Sequence, residues 1–270
     1  MQLINRLSIP TVIALAVVAA VYYYSNKAQT NLGDTHVITG WTLFGVIILL
    51  AVFNTRKKLI AFNIGSVRQW FAFHVMGGFL TIVLFLYHTG SIFPPGLYEQ
   101  ILALLFWLVS LTGIIGLIVT MIFPRRLTDI GYEVTYERVP VEISKLRQMA
   151  EEEIINGAEA TGQGTLSEFY QENFSWFFQR PRFYLSHIFG GMRSIKWVDF
   201  HSNAVKRYLN PAEEGHLNVL VELAYQKEKI DRQYACQDLM RKWLLIHIPL
   251  SVAMIGMAIW HLVLVHIYSQ

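Results

Sequence analysis

Long apolar runs separated by short polar joints dominate the chain. Five runs, at 7–24, 37–53, 70–87, 101–123 and 243–268, contain no Asp, Glu, Lys or Arg. A helix needs roughly 20 predominantly apolar residues to cross a bilayer. Backbone groups in lipid must satisfy one another, which selects helices. The pattern therefore predicts five transmembrane helices. The second run is the shortest and holds Gly40 and Gly45. The first follows Arg6, as the apolar part of a secretory signal would. It ends in Tyr22, Tyr23 and Tyr24, not in the small residues of a cleavage site, so a retained anchor is expected.

Between the fourth and fifth runs the pattern changes. Residues 124–242 alternate polar and apolar positions at helical spacing. Residues 141–156 place Ile143, Leu146, Met149 and Ile154 on one stripe and predict an amphipathic helix, broken by Gly157, Gly162 and Gly164. Thr165 and Glu168 form a capping-box pattern before Leu166, Phe169, Tyr170, Phe174 and Phe177. Asn210 and Pro211 are start signals for a helix over 212–240 that could run straight into the fifth span. Residues 132–139 alternate weakly, as a short strand would. The aromatic segment 174–189 reads first as core or membrane-surface packing, and otherwise as a docking face for a partner. The expected fold is an all-α membrane protein: spans one to four over 1–123, a mostly helical insert over 124–242, and a fifth span over 243–270 completing the bundle.

Composition narrows the function. Hydrophobic residues make up 54% of the chain and charged ones 15%, where soluble chains carry about 25% charged residues. The single cysteine, Cys236, excludes an internal disulfide, a cluster held by several cysteines of this chain, and covalent c-type haem attachment through C-x-x-C-H. No Gly-rich phosphate loop occurs in the insert, and its 16 basic and 17 acidic residues balance, so nucleic acid is not an expected partner. Arg56, Lys57, Lys58 and Arg68 lie between the second and third spans, whereas the two opposite joints hold only Lys27. The positive-inside rule then expects a cytoplasmic N-terminus and insert and an outer C-terminus, in a cell (inner) membrane.

The histidines carry the chemistry. Arg68, Trp70, His74 and His88 repeat as Arg241, Trp243, His247 and His261, both as R-x-W-x-x-x-H-x13-H. Fourteen residues rise about 21 Å and complete about 3.9 turns, so both histidines of a helix share a face at two depths. The third and fifth spans run in the same direction. His74 then lies level with His247 near the inner side, and His88 level with His261 near the outer side. Two facing imidazoles can bind one iron from opposite sides, which is b-type haem ligation, here twice over. Gly77 and Gly78 would let a macrocycle approach the third span, and Ala253, Gly256 and Ala258 the fifth. Arg68 and Arg241 could pair with propionates. Pro249 could kink the helix beside His247. Ionisable groups inside spans are rare and mostly functional.

In these residues the sequence resembles the diheme transmembrane cytochromes b, most closely the ferric-reductase-like transmembrane domains, and also respiratory cytochrome b membrane subunits. The resemblance covers the spans from about residue 40 onward, without the insert. It implies two b-type haems on His74, His88, His247 and His261, and electron transport across the membrane between a cytoplasmic-side partner or quinone and an outer-side quinone or carrier. A flavoprotein, an iron–sulfur protein or a multihaem cytochrome is the expected redox partner. The sequence stops just after the fifth span and has a long insert, so direct NADPH oxidation by these residues is not expected. Self-sufficient reduction of a metal or oxygen at the outer haem is a further reading. The competing reading is a non-redox receptor, assembly factor or permease whose intramembrane histidines bind a metal or protons. His36, His266 and Glu99, at the outer edge, could serve a quinone or a proton relay but read first as interfacial groups. His187, His201 and His216 read as surface residues of the insert.

Overall fold

The computed structural model describes residues 4–31, 33–53, 66–129, 131 and 133–268. Arg56, Lys57 and Lys58 lie outside them. The chain divides into two compact units, residues 1–118 with 243–270, and residues 119–242.

The first unit is a bundle built from α1 (Ile4–Thr30), α2 (Thr35–Val52), α3 (Val67–Thr89), the first part of α4 (Leu97–Asp129) and the last part of a closing helix. All five helices are long and apolar enough to cross a membrane. Side chains such as Ile9, Leu15, Leu111, Leu245 and Val252 lie on the outside. That exposure would be unfavourable in water and is neutral against lipid tails. This is a multi-pass membrane protein. Its helix starts follow local chemistry. Asp34 accepts the His36 backbone N–H at 2.8 Å, and Ser66 with Gln69 forms a reciprocal capping box ahead of α3. Gly90, at φ +66°, ends α3 in the left-handed conformation that glycine adopts without a steric penalty. α1, α2 and α3 pack against one another. Phe85 of α3 stacks on Phe106 of α4 with ring centroids 4.2 Å apart.

The second unit holds the end of α4, α5 (Val139–Thr161), α6 (Thr165–Phe169), a π turn (Tyr170–Phe174), α7 (Ser175–Phe178), α8 (Tyr184–Ile188), α9 (Arg193–Lys206) and the start of α10 (Pro211–Tyr268). α10 is a single 58-residue helix that continues into the fifth span and is not interrupted at Pro249. At its start Asn210 Oδ1 accepts the Glu213 N–H at 2.8 Å, and Glu213 Oε2 accepts the Asn210 N–H at 3.2 Å. The core holds Phe174, Phe177, Phe178, Val198, Leu220 and Ala224, all fully buried. The aromatic segment therefore supplies core in its first half.

Four local expectations change. No strand occurs among the described residues. Tyr132 lies outside them, residues 133–135 are irregular, and Tyr136–Arg138 is a 3-10 turn. Two side chains of α10 replace the strand partner: Gln233 Oε1 accepts the Val134 N–H at 2.6 Å, and Gln237 Nε2 donates to its carbonyl at 2.8 Å. Gly157 does not break α5. It is buried inside the helix, and a Cβ there would lie 3.1 Å from the His216 ring. Met149 is exposed, and Ala150 takes its place on the buried stripe. Thr165 makes no cap hydrogen bond, because Gly164 occupies the N-cap.

A buried ion pair braces the core. Lys227 Nζ lies 2.5 Å from Asp231 Oδ2, both side chains fully buried. It also donates to the Arg180 carbonyl at 3.0 Å and sits 4.1 Å above the Phe177 ring. Desolvation holds the lysine below its usual range and the aspartate above its own. His187 is buried beside this pair, not on the surface, with Nδ1 3.8 Å from Glu228 Oε1. His216 is half-buried and bonds Glu153 at 2.7 Å. His201 is half-buried too, bonded to the Trp197 carbonyl at 2.8 Å.

Candidate functional site

The four repeat histidines all lie on the inward faces of their helices. On α3, His74, Thr81 and His88 follow at seven-residue intervals, with Thr81 buried, while Phe73, Phe79, Val83 and Leu86 face outward. On α10, His247, Met254 and His261 repeat the spacing, with Met254 and Ala258 buried and Leu245, Val252 and Ile259 outward. Seven residues make nearly two full turns, so each series keeps one face. Thr81 and Met254 thus separate an inner from an outer histidine level. The outer members of the two series are His88 and His261.

One imidazole at each level is fixed by a threonine of a neighbouring helix. Thr39 Oγ1 of α2 lies 2.9 Å from His88 Nδ1. Thr112 Oγ1 of α4 lies 2.9 Å from His247 Nδ1. Each hydroxyl has a single proton. Thr39 can place it on the Thr35 carbonyl at 3.1 Å, and Thr112 on the Leu108 carbonyl at 2.9 Å. With the proton spent there, each oxygen can only accept from the imidazole. Nδ1 then carries hydrogen, and Nε2 keeps its lone pair for a metal.

Each threonine is followed by a glycine that makes room for the ring. A Cβ on Gly40 would lie 3.0 Å from His88 Cε1, and one on Gly113 would lie 3.6 Å from His247 Cε1. One turn further along α4, Gly116 admits Trp243, whose ring carbon would be 1.9 Å from an added Cβ. Trp243 Nε1 donates to the Thr112 carbonyl at 2.7 Å, and its ring stacks on His247 at 5.5 Å. Gly116→Ala should therefore displace Trp243 and destabilise the bundle by about 1–3 kcal/mol, as overpacking generally does. Lower thermal stability in detergent, with altered tryptophan fluorescence, is the expected readout. An unchanged melt would mean that Trp243 does not lie on Gly116.

The other two histidines contact aromatics. His74 stacks on Phe53 at 4.4 Å, and His261 on Tyr98 at 6.0 Å. His36 is exposed, with Nδ1 3.1 Å from the His88 carbonyl. His266 is exposed near the end of α10.

The small residues divide by position. A Cβ on Gly77 would lie 2.8 Å from Leu50 Cδ2, so the Leu50 side chain of α2 uses that gap. Gly78 and Gly256 open onto free space. Ala253 is exposed, on the outer side of α10. Arg68 is exposed at the start of α3. Arg241 pairs with Glu137 and lies 4.2 Å over the Tyr136 ring, within the second unit.

Sequence reasoning missed Thr39, Thr112, Gly113, Gly116 and Tyr98. No sequence signal singled out the threonines, because the Thr-Gly dipeptide of 39–40 and 112–113 also occurs at 89–90 and 161–162. No protein-family model, curated protein or solved structure matches the chain.

Proposed function

We propose that this protein is a diheme cytochrome b that carries electrons across its membrane, with one haem between His74 and His247 and the other between His88 and His261. The observation that carries the reading is the pair of inward histidine series with matched spacing, in which the Thr39 and Thr112 hydroxyls lie 2.9 Å from two imidazole Nδ1 atoms and can hold the tautomer that leaves Nε2 free. Two protein ligands per level suit an iron whose other four ligands come from a porphyrin. Gly78 leaves space on α3 for such a plane, whereas Gly256 is exposed on the outward side of α10. When bound, b-type haem supplies reversible one-electron transfer. The protein's residues hold the iron, exclude water and set the ligand basicity.

The basic joint at 54–66, with the 16 Lys and Arg residues of the insert, favours an inner side that faces the cytoplasm of a cell membrane. Electrons would pass between a cytoplasmic-side partner or quinone and an outer-side quinone or carrier. The insert offers a docking module for a flavoprotein, iron–sulfur protein or multihaem cytochrome.

Purified protein should give a reduced-minus-oxidised b-type band and about two extractable haems per chain. A colourless preparation from haem-replete cells would instead favour the non-redox reading. The threonines give a finer test. An Nδ1–H donated to an oxygen makes imidazole a stronger donor and favours the ferric state. Thr39→Val should raise the potential of the outer haem, and Thr112→Val that of the inner one, in optical redox titration. If neither substitution moves a potential, the two threonines do not tune the ligands.

A further inference from the structure

The second unit carries a compact apolar turn placed where two spans end. α8 leads into Phe189, Gly190, Gly191 and Met192. The turn is well formed: Phe189 N–H donates to the Leu185 carbonyl at 3.1 Å, Gly191 N–H to the Ser186 carbonyl at 2.7 Å, and Gly190 sits at φ +74°. Its inner residue, Ile188, packs in a cluster with Phe123 and Leu127 of α4 and Leu239 and Met240 of α10. Arg126 of α4 donates to the Ile188 carbonyl and lies against Gly190. Phe123 ends the apolar run of the fourth span, and Met240 comes three residues before Trp243, where the fifth begins. The turn is therefore pinned beside the last residues of the fourth apolar run and those just ahead of the fifth.

On its outer side Leu185, Phe189 and Met192 are 66%, 80% and 56% exposed. Moving side chains of this kind out of water is favourable. Arg193 and Lys196 follow immediately on the exposed side of α9. An apolar tip with a basic collar is the composition of a segment that enters the headgroup boundary.

We propose that residues 185–192 form a membrane-surface anchor: Leu185, Phe189 and Met192 enter the interface of the bilayer crossed by α4 and α10, with Arg126, Arg193 and Lys196 at phosphate level. The tether at Ile188 sets the depth, so the exposed tips face acyl chains and not water. The occupant is lipid because the exposed apolar tips sit on a turn that packs on Phe123, the last residue of an apolar run long enough to cross a bilayer, with Arg193 and Lys196 beside them. The inference does not depend on haem.

Spin labels placed at Leu185→Cys, Phe189→Cys and Met192→Cys in the full-length protein, in lipid nanodiscs, test it. Cys236 is buried and should stay unlabelled. Ile155→Cys, on the exposed side of α5, serves as the water-facing control. At the three turn positions oxygen should relax the label severalfold more than a water-soluble nickel chelate does, with the reverse order at Ile155. Nickel access at the turn equal to that at Ile155 would overturn the proposal. Shielding from both reagents would overturn it too, since a protein partner or a second copy would then cover the patch. Three independent positions keep the test open if one variant does not fold.

Discussion

Replacing His88 by leucine should leave the purified protein with one haem per chain in place of two. The structure gives this prediction its form. His88 and His261 are the outer members of the two series, while His247 sits with Thr112 and Trp243 at the inner level. Seven residues separate each histidine from Thr81 or Met254, and seven more from the next histidine. At about 1.5 Å per residue the two levels stand about 21 Å apart along the helix, so the loss of one should leave the other in place. Leucine keeps the bulk and the apolar character of the position, so the bundle should still assemble. His261→Leu should lose the same haem, and the His88→Leu, His261→Leu double variant should lose no more than either single one. His74→Leu and His247→Leu should remove the other haem. Pigment content and the reduced-minus-oxidised band would be compared across the set. If the His88→Leu, His261→Leu variant loses both haems, the irons are ligated across levels and the pairing is wrong. His36→Leu and His266→Leu should retain both.

The second large effect concerns stability and lies in the other unit. His187 is buried beside Arg232, Lys227 and Glu228. Burial above all, then the Arg232 and Lys227 cations, pushes its pKa from 6.5 down to about 4. The unfolded chain takes up a proton near the ordinary histidine value, whereas the folded unit resists until about pH 4. Between those limits the unfolded state binds more protons, so stability falls as pH falls through that window and is flat above it. The full loss is roughly 3 kcal/mol. His187→Gln keeps a neutral polar side chain and removes the titration. Melting temperature followed between pH 7.5 and pH 4 should therefore drop less in the variant than in the parent. Parallel curves would show that His187 takes up its proton equally well in both states. Both proteins keep the buried Lys227–Asp231 pair.

How much was legible in the sequence differed from element to element. The spans were legible because lipid imposes one rule on every residue of a run: 7–24, 70–87, 101–123 and 243–268 each fall within a helix, and 37–53 runs one residue past the end of α2. The stripe Ile143, Leu146 and Ile154 predicted α5 for the same reason: a half-buried helix writes its period into the chain. Failures came where a tertiary contact replaced a local rule. Residues 133–135 form no strand because Gln233 and Gln237, about a hundred positions later, take up the Val134 backbone groups. Gly157 reads as a breaker until the His216 ring is placed against it. His187 reads as a surface residue until the Phe177 core closes over its neighbours.

The candidate site divides along the same line. The sequence by itself determined that four histidines occupy two matched positions on two spans, because fourteen residues return a helix to the same face. It could not determine what holds those rings. That is a matter of which helix lies alongside, and only the folded bundle brings Thr39 and Gly40 to His88, and Thr112 and Gly113 to His247. Periodicity is a property of one helix, whereas the hydrogen bond that selects a tautomer joins two.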